Sequence, residues 1–342
     1  VRITLAESLG YKPGTVTTGK IVHALRKIGF HKVFDSDFTA DLTIMEEGTE
    51  FLHRIQNHGT LPLITSCCPA WVKYCETYGY DQLDHLSTAK SPQQMFGAVI
   101  KTFFAEKEKI DPKDICSVSV MPCTAKKFEC RRKEFHDSGF QDVDISITVV
   151  ELAKMIRTAG IHFEDLEDQE FDAPFGLGSG AGQIFGSTGG VMEAALRTVY
   201  EVLTGETLEK LEFMQVRGLE GIREASLTIK GQEIRVAIVH GLKNVEDILE
   251  QIKAGTSPYH FIEVMACEGG CIGGGGNAPK TMAKVRERQR AIYEEDQKLP
   301  IRKSHENIYV QKLYEEYLGE PLSEKSHKLL HTTYHSRRDL LR

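Results

Sequence analysis

The 342-residue chain has one tryptophan, no basic block, no Cys-x2-Cys pair and no long uninterrupted apolar run. Each absence excludes something. A membrane helix needs about 20 consecutive apolar residues, so no span is expected. There is also no basic, apolar, then small-residue pattern of a secretory leader, which makes the cytoplasm the expected compartment. The net charge of −7 is spread along the chain, and without clustered Lys and Arg to neutralise phosphates nucleic acid is not an expected partner. The eight cysteines are too few and too unevenly placed for a secreted disulfide scaffold. Lack of the Cys-x2-Cys knuckle lowers the case for structural zinc. The start at Val1, without an initiator Met, leads us to expect a processed or excised chain.

What is present is concentrated in three segments. Thr65-Ser66-Cys67-Cys68-Pro69-Ala70-Trp71 places two adjacent thiols after an apolar run and beside the lone tryptophan. Met121-Pro122-Cys123-Thr124-Ala125-Lys126-Lys127-Phe128-Glu129 and Glu263-Val264-Met265-Ala266-Cys267-Glu268-Gly269-Gly270-Cys271 follow, the last leading into Gly273 to Gly276. In each, an apolar run of strand length ends at a cysteine. Strand ends of this kind are where open α/β sheets place ligands. Cys123, Cys267, Cys271 and one of the vicinal pair supply four thiolates, enough for a [4Fe-4S] cube. Neighbouring residues of extended chain point opposite ways, so the other vicinal thiol is left free.

Between these segments the pattern alternates strand and helix, which sets the class as α/β. We expect helices at 15–29, 37–58, 69–78, 91–107, 151–158, 192–203 and 242–253, and strands at 31–34, 61–65, 115–120, 143–149 and 260–266. A hairpin is expected across Lys230-Gly231-Gln232. Residues 164–172 read as an acidic surface loop and 278–342 as a charged, mostly helical region. The stretch from Gly176 to Gly190 lacks the Gly-Lys-Ser/Thr ending of a phosphate loop, and close backbone approach to something bulky explains it better. On the 37–58 helix, Glu46, Glu50 and Arg54 fall four residues apart with Glu47 alongside, and a solvated charged flank is the plain reading. His327, His331 and His335 also step by four, which fits an exposed or packing helix better than a metal site.

The three signatures together resemble those of the [FeFe]-hydrogenases, in the family's order and with similar separations, and the likeness extends over essentially the whole chain. The resemblance implies a single catalytic domain over 1–342, with no ferredoxin-like domain. Its fold would be two lobes of mixed sheet flanked by helices, at about 1–120 and 121–277, with the metal site buried between them and a helical region at 278–342. It implies an H-cluster, a [4Fe-4S] cube linked to a two-iron unit carrying CO, cyanide and a bridging dithiolate amine. Cys68, Cys123, Cys267 and Cys271 match the cube's ligands, with Cys271 bridging to the two-iron unit. Cys67 matches the proton-donating thiol. Lys126 matches the lysine at a cyanide, Met121, Pro122 and Met265 flank the two-iron unit, and Phe185 lines its pocket. Glu47, Ser87, Glu50 and Arg54 match the relay from Cys67 to solvent. Taken alone, Lys126 would be a surface lysine and both methionines core filling.

The implied activity is reversible oxidation of H2 and reduction of protons. Its implied partners are a ferredoxin or another redox carrier or subunit, and the maturation proteins that make the two-iron unit. The family's Ala-Pro-Ser stretch before Val-Arg is missing, so we expect either a pocket open at that side or an incomplete chain. Two other readings are an iron-sulfur assembly or H2-sensing relative on the same scaffold, and a structural zinc protein. The presence of Cys67, Lys126, Glu47, Ser87 and Glu50 weighs against the first.

Overall fold

The computed structural model describes residues 1–341. Its frame is a four-stranded sheet in the order β1-β6-β5-β4 and a two-stranded sheet β2-β3. The strands are β1 (Leu63–Ile64), β2 (Val118–Met121), β3 (Ile145–Thr148), β4 (Ile222–Ile229), β5 (Gln232–His240) and β6 (Phe261–Met265). β4 and β5 form the expected antiparallel hairpin. Its turn residues Lys230 and Gly231 both have positive φ, 49° and 80°, as a two-residue hairpin turn matching strand twist requires.

The other pairings are parallel, with Leu63 opposite Phe261 and Val236 opposite the same residue, and with Met121 opposite Thr148. Parallel strands are buried on both faces, and β6 is buried throughout. One face of the larger sheet packs Val236, Ile238 and Phe261 against Phe51 and Ile44 of the helix Asp37–Gln56 and Val191 and Leu196 of the helix Gly190–Thr204. The Phe51 and Phe261 rings stack with centroids 4.8 Å apart. The opposite face packs Val239, Ile262 and Val264 against Trp71 and Val72 of the helix Pro69–Tyr78 and Val245 and Ile248 of the helix Val245–Lys253. The smaller sheet leans Val120 and Ile147 on Val22 of the helix Thr18–Ile28 and Leu152 of the helix Val149–Thr158. This is the mixed α/β arrangement expected, with helices flanking both sheets. The larger sheet draws β1 from one side of residue 120 and β4 to β6 from the other, so a division of the chain there cuts across it.

Three expectations need correction. Residues 31–34 are not a strand: Val33 exchanges its backbone bonds with Asp172 instead, donating to the carboxylate at 2.8 Å and accepting from its amide at 2.9 Å. The acidic loop therefore ends as a clasp, and Arg26 reinforces it through Gln169 and Asp172. The helix expected at 91–107 contains a π-turn, Ile100–Phe104, whose extra residue lets consecutive Phe103 and Phe104 both face the core. The histidine stripe is not on one helix, because Glu324–Leu330 ends before His331.

Candidate active site

β1, β2 and β6 all release their chains at carboxyl ends that meet. Cys67 and Cys68 follow β1, Cys123 follows β2, and Cys267 and Cys271 follow β6. Cys68 sits just before Pro69, which starts the next helix. Trp71, wholly buried, donates its Nε1–H to Thr65 carbonyl at 3.1 Å and so ties that helix back to the strand end. The Thr65 hydroxyl accepts from Val264 N–H at 3.1 Å and links β1 to β6 one turn before their cysteines.

The glycine run brings the third segment against the second. Gly276 N–H donates to Pro122 carbonyl at 3.1 Å, and a Cβ on Gly276 would lie 2.6 Å from the Cys123 nitrogen. The Gly186–Gly190 loop is laced in as well: Ile272 N–H donates to Gly186 carbonyl at 2.9 Å and Thr188 N–H to Gly269 carbonyl at 3.1 Å. Glu263, fully buried on β6, holds the same loop by accepting from Gly189 N–H at 2.6 Å and Met192 N–H at 2.8 Å. Close backbone approach thus accounts for this glycine-rich stretch.

These segments enclose a cavity of about 170 Å³ lined by Cys67, Cys68, Cys123, Cys267 and Cys271, with Met121, Pro122, Lys126, Phe185 and Met265 completing its wall. A larger cavity, about 750 Å³, holds none of those five cysteines and lies beside residues 29–37. All eight cysteines are free thiols. Burial pushes the Cys68 thiol up to about 11, helped by the neighbouring Cys123 and Cys267, while amide hydrogen bonds from Ala266 and Trp71 oppose it. Cys267 and Cys271 are raised by burial and by the same neighbours. Such thiols become thiolates when iron takes the place of the proton.

The sulfurs are spaced too widely for one tetrahedral ion. Among the described residues, the group whose ligand atoms all lie within 4.8 Å of one another is Glu201, His305 and Glu306, not any three of the cysteines. The thiols as placed do not form the compact four-sulfur set that mononuclear zinc requires.

Cys67 and Lys126 are both buried on the wall of this cavity. Burial, with the nearby Glu47 and Cys68, pushes the Cys67 thiol well above its ordinary range. Lys126 Nζ donates to Cys67 carbonyl at 3.1 Å and to Glu129 Oε2 at 2.9 Å. Burial would lower the Lys126 ammonium, but Glu129 outweighs it and holds the group charged. Glu129 is held in turn by Ser91 Oγ at 2.9 Å and Gln93 Nε2 at 3.0 Å. Sequence reasoning gave Glu129 no role. Its spacing three residues after Lys126, on the short helix Ala125–Glu129, was the available signal.

The charged flank expected on the Asp37–Gln56 helix is not solvated. Glu46 and Glu47 have no exposed surface and Glu50 is nearly covered. Neither carboxylate oxygen of Glu47 has a hydrogen-bond partner. Burial, then the charge of Glu50, lifts its carboxyl to about 8, only partly offset by the nearby Ser87 and Ser66. Glu50, by contrast, is saturated: Ser87 Oγ donates at 2.8 Å, Thr88 N–H at 3.0 and 3.3 Å, and Arg54 Nη2 at 2.6 Å. Arg54 also donates to the carbonyls of Asp84 and Leu86, both at 2.9 Å. Ser87, Glu50 and Arg54 are thus joined by hydrogen bonds, and Glu47 lies near Ser87, Glu50 and the Cys67 thiol. Of the residues singled out from the sequence, Cys67, Cys68, Cys123, Cys267, Cys271, Met121, Pro122, Lys126, Phe185 and Met265 line the cavity, Ser87, Glu50 and Arg54 form one hydrogen-bonded run, and Glu46 turns instead to His331.

Comparison with known proteins agrees with this geometry. The family model described as "Iron only hydrogenase large subunit, C-terminal domain" matches residues 1–275, and "Iron hydrogenase small subunit" matches residues 282–337. The chain is 52% identical to the NADP-reducing hydrogenase subunit HndD of Solidesulfovibrio fructosivorans over 99% of its own length, but it spans only 59% of that relative. It is 32% identical to cytosolic iron-sulfur assembly component 3 of Bos taurus, over 98% of this chain and 72% of that one. A structure of apo [FeFe]-hydrogenase HydA1 from Chlamydomonas reinhardtii superimposes with a TM-score of 0.87 at 42% identity, covering 98% of this chain and 92% of the other. Among the described residues, no helix is long and apolar enough to cross a membrane. By the match of its large-subunit domain and the likeness of fold and sequence together, the chain belongs to the iron-only hydrogenase family.

Proposed function

We propose that this chain is the catalytic domain of an [FeFe]-hydrogenase, interconverting protons, electrons and H2 at an H-cluster. The observation that carries the proposal is Glu47: a carboxyl without exposed surface and without a hydrogen bond of full geometry, beside a buried free thiol in a cavity lined by four further cysteines. Structural carboxylates are not left orphaned in this way, whereas groups that carry protons at a reactive centre are.

Cys68, Cys123, Cys267 and Cys271 would hold the cube, and Met121, Pro122, Lys126, Phe185 and Met265 would line the seat of the two-iron unit with its CO, cyanide and dithiolate amine. When bound, that cofactor supplies the redox chemistry that joins protons and electrons. The Lys126 ammonium presents a charge-assisted donor to an anionic ligand of cyanide type. Met121, Met265 and Phe185 exclude water with soft, weakly coordinating surface.

The Cys67 thiol, kept protonated by its surroundings, serves as the donor nearest the reacting atoms. Glu47, lifted toward neutral pH, can take or give a proton without a large free-energy step. The Ser87 hydroxyl passes it on, and Glu50 exchanges it beneath Arg54 at the surface. Electrons would come from a ferredoxin or another redox carrier or subunit, and the two-iron unit from maturation proteins. A cytoplasmic setting suits the free thiols.

An anaerobic infrared spectrum of the chain supplied with the two-iron unit tests the reading. CO and cyanide stretching bands, with H2 turnover lost in Cys67→Ala while the bands persist, are expected. A matured Cys67→Ala variant with near-normal turnover would sink the relay. Absence of the bands with the cube intact would favour the iron-sulfur assembly alternative, whose relative is the more distant in sequence.

A further inference from the structure

The outer end of the path is gripped by a part of the chain that carries none of the cysteine signatures. Thr88, whose amide donates to Glu50, has its hydroxyl 2.8 Å from His331 Nδ1. Its carbonyl accepts from Thr332 N–H at 2.8 Å, and Lys90 N–H donates to Leu330 carbonyl at 2.8 Å. Residues 88–90 and 330–332 thus run antiparallel about the Ala89–His331 bridge.

The other ring nitrogen of His331, Nε2, is 2.9 Å from Glu46 Oε2. Glu46 also accepts from Leu322 N–H at 3.0 Å and from the hydroxyls of Tyr314 and Ser326. Burial alone would raise the Glu46 carboxyl, but His331, Ser326 and Tyr314 together hold it below its ordinary value. The Glu46 carboxylate accepts from Nε2 and so orients the ring, which sets Nδ1 against the Thr88 hydroxyl. Besides Glu46, the titratable neighbour of His331 is the exposed His327, whose ring stacks on it at 4.7 Å. Glu50 faces it across Thr88, and Tyr314 stands behind Glu46.

We propose that Glu46 and His331 are positioning residues for the proton relay, holding Thr88 so that its amide keeps the Glu50 carboxylate against Ser87. The proposal rests on the relay reading above. A carboxylate that accepts from a fixed amide and a fixed hydroxyl has one orientation, and loss of the amide frees it to turn toward Arg54 alone.

The test uses Thr88→Val, Thr88→Ser, His331→Gln and the double variant Thr88→Val/His331→Gln. In the chain loaded with both clusters, H2 turnover is followed against pH in H2O and in D2O. In the chain before the two-iron unit is supplied, exchange of the Thr88 amide hydrogen is followed as well. Thr88→Val and His331→Gln should each slow turnover about tenfold, raise the solvent isotope effect and displace the pH profile. His331→Gln should also speed Thr88 amide exchange. Thr88→Ser should restore near-normal values, and the double variant should be no slower than the slower single one. Unchanged Thr88 amide exchange in His331→Gln overturns the proposal. So does a uniform loss at every pH with an unchanged isotope effect, or multiplication of the two losses in the double variant. If the parent chain shows CO and cyanide bands yet no turnover, the relay reading fails and takes this proposal with it.

Discussion

Burial of Glu47 carries an electrostatic cost. Its carboxyl is raised from 4.5 to about 8 in the folded chain, so between those values the folded state holds a proton that the unfolded state has lost. Stability must therefore fall as pH rises through that window, and the full loss, of order a few kcal/mol, is reached above it. Glu47→Gln removes the effect. Its melting temperature should equal that of the parent near pH 4.5 and exceed it progressively toward pH 9. A constant gap across that range would show that Glu47 is not titrating as its surroundings dictate. The same substitution should slow H2 turnover about a hundredfold or more, because an amide cannot carry the proton.

At this scale the sequence showed which residues matter only through motif. Charge spacing alone placed Glu46, Glu47 and Glu50 on a wet flank. The reason for the failure is physical: the partners that make burial tolerable for Glu46, namely Tyr314, Ser326 and His331, come from the far end of the chain, and no local pattern reveals them. For Glu47 the nearest donors, Ser66 and Ser87, likewise come from outside its own helix.

Helices and strands were more legible. Apolar runs ending in cysteine located β2 and β6 closely, and Pro69 and Pro92 marked helix starts. Residues 31–34 misled because Val33 packs in the cluster that holds Phe171 and Phe34 packs on Phe96, Phe104 and Phe175, neither in a sheet, and the π-turn at Ile100–Phe104 left no mark beyond two adjacent phenylalanines. The glycine run is a constraint at this level. Gly276→Ala would push a methyl against the Cys123 nitrogen at 2.6 Å and the Pro122 carbonyl carbon at 2.7 Å, both backbone atoms that cannot swing aside. A destabilisation of about 1–3 kcal/mol is expected, with the 271–276 loop drawn off Cys123. Iron and sulfide content after reconstitution should fall well below that of the parent. A full complement of iron in Gly276→Ala would show that the loop can yield.

For the molecule as a whole, the cysteines lie on segments far apart in the chain, so a bound cube would join them as a cross-link. Such a link restricts the unfolded chain more than the folded one. Stripping iron with a chelator under anaerobic conditions should lower the melting temperature and broaden the transition. Equal melting with and without the cube would mean that the protein frame alone fixes the cysteine loops. The α/β class was readable from the alternation of elements. The division into sheets was not, because β1 is only two residues long and its partner is β6.

That partnership also sets a timetable. β1 pairs Leu63 with Phe261 and Ile64 with Ile262, so although Ile64 also bridges the nearby Leu86, the strand end bearing Cys67 and Cys68 lacks its β6 partner until translation has passed residue 262. At ribosomal speeds of about 5–20 residues per second, the wait is roughly 10–40 s. Two vicinal thiols therefore wait for the segment that faces them, and a cube held in part by Cys271 could be assembled only once translation has passed that residue.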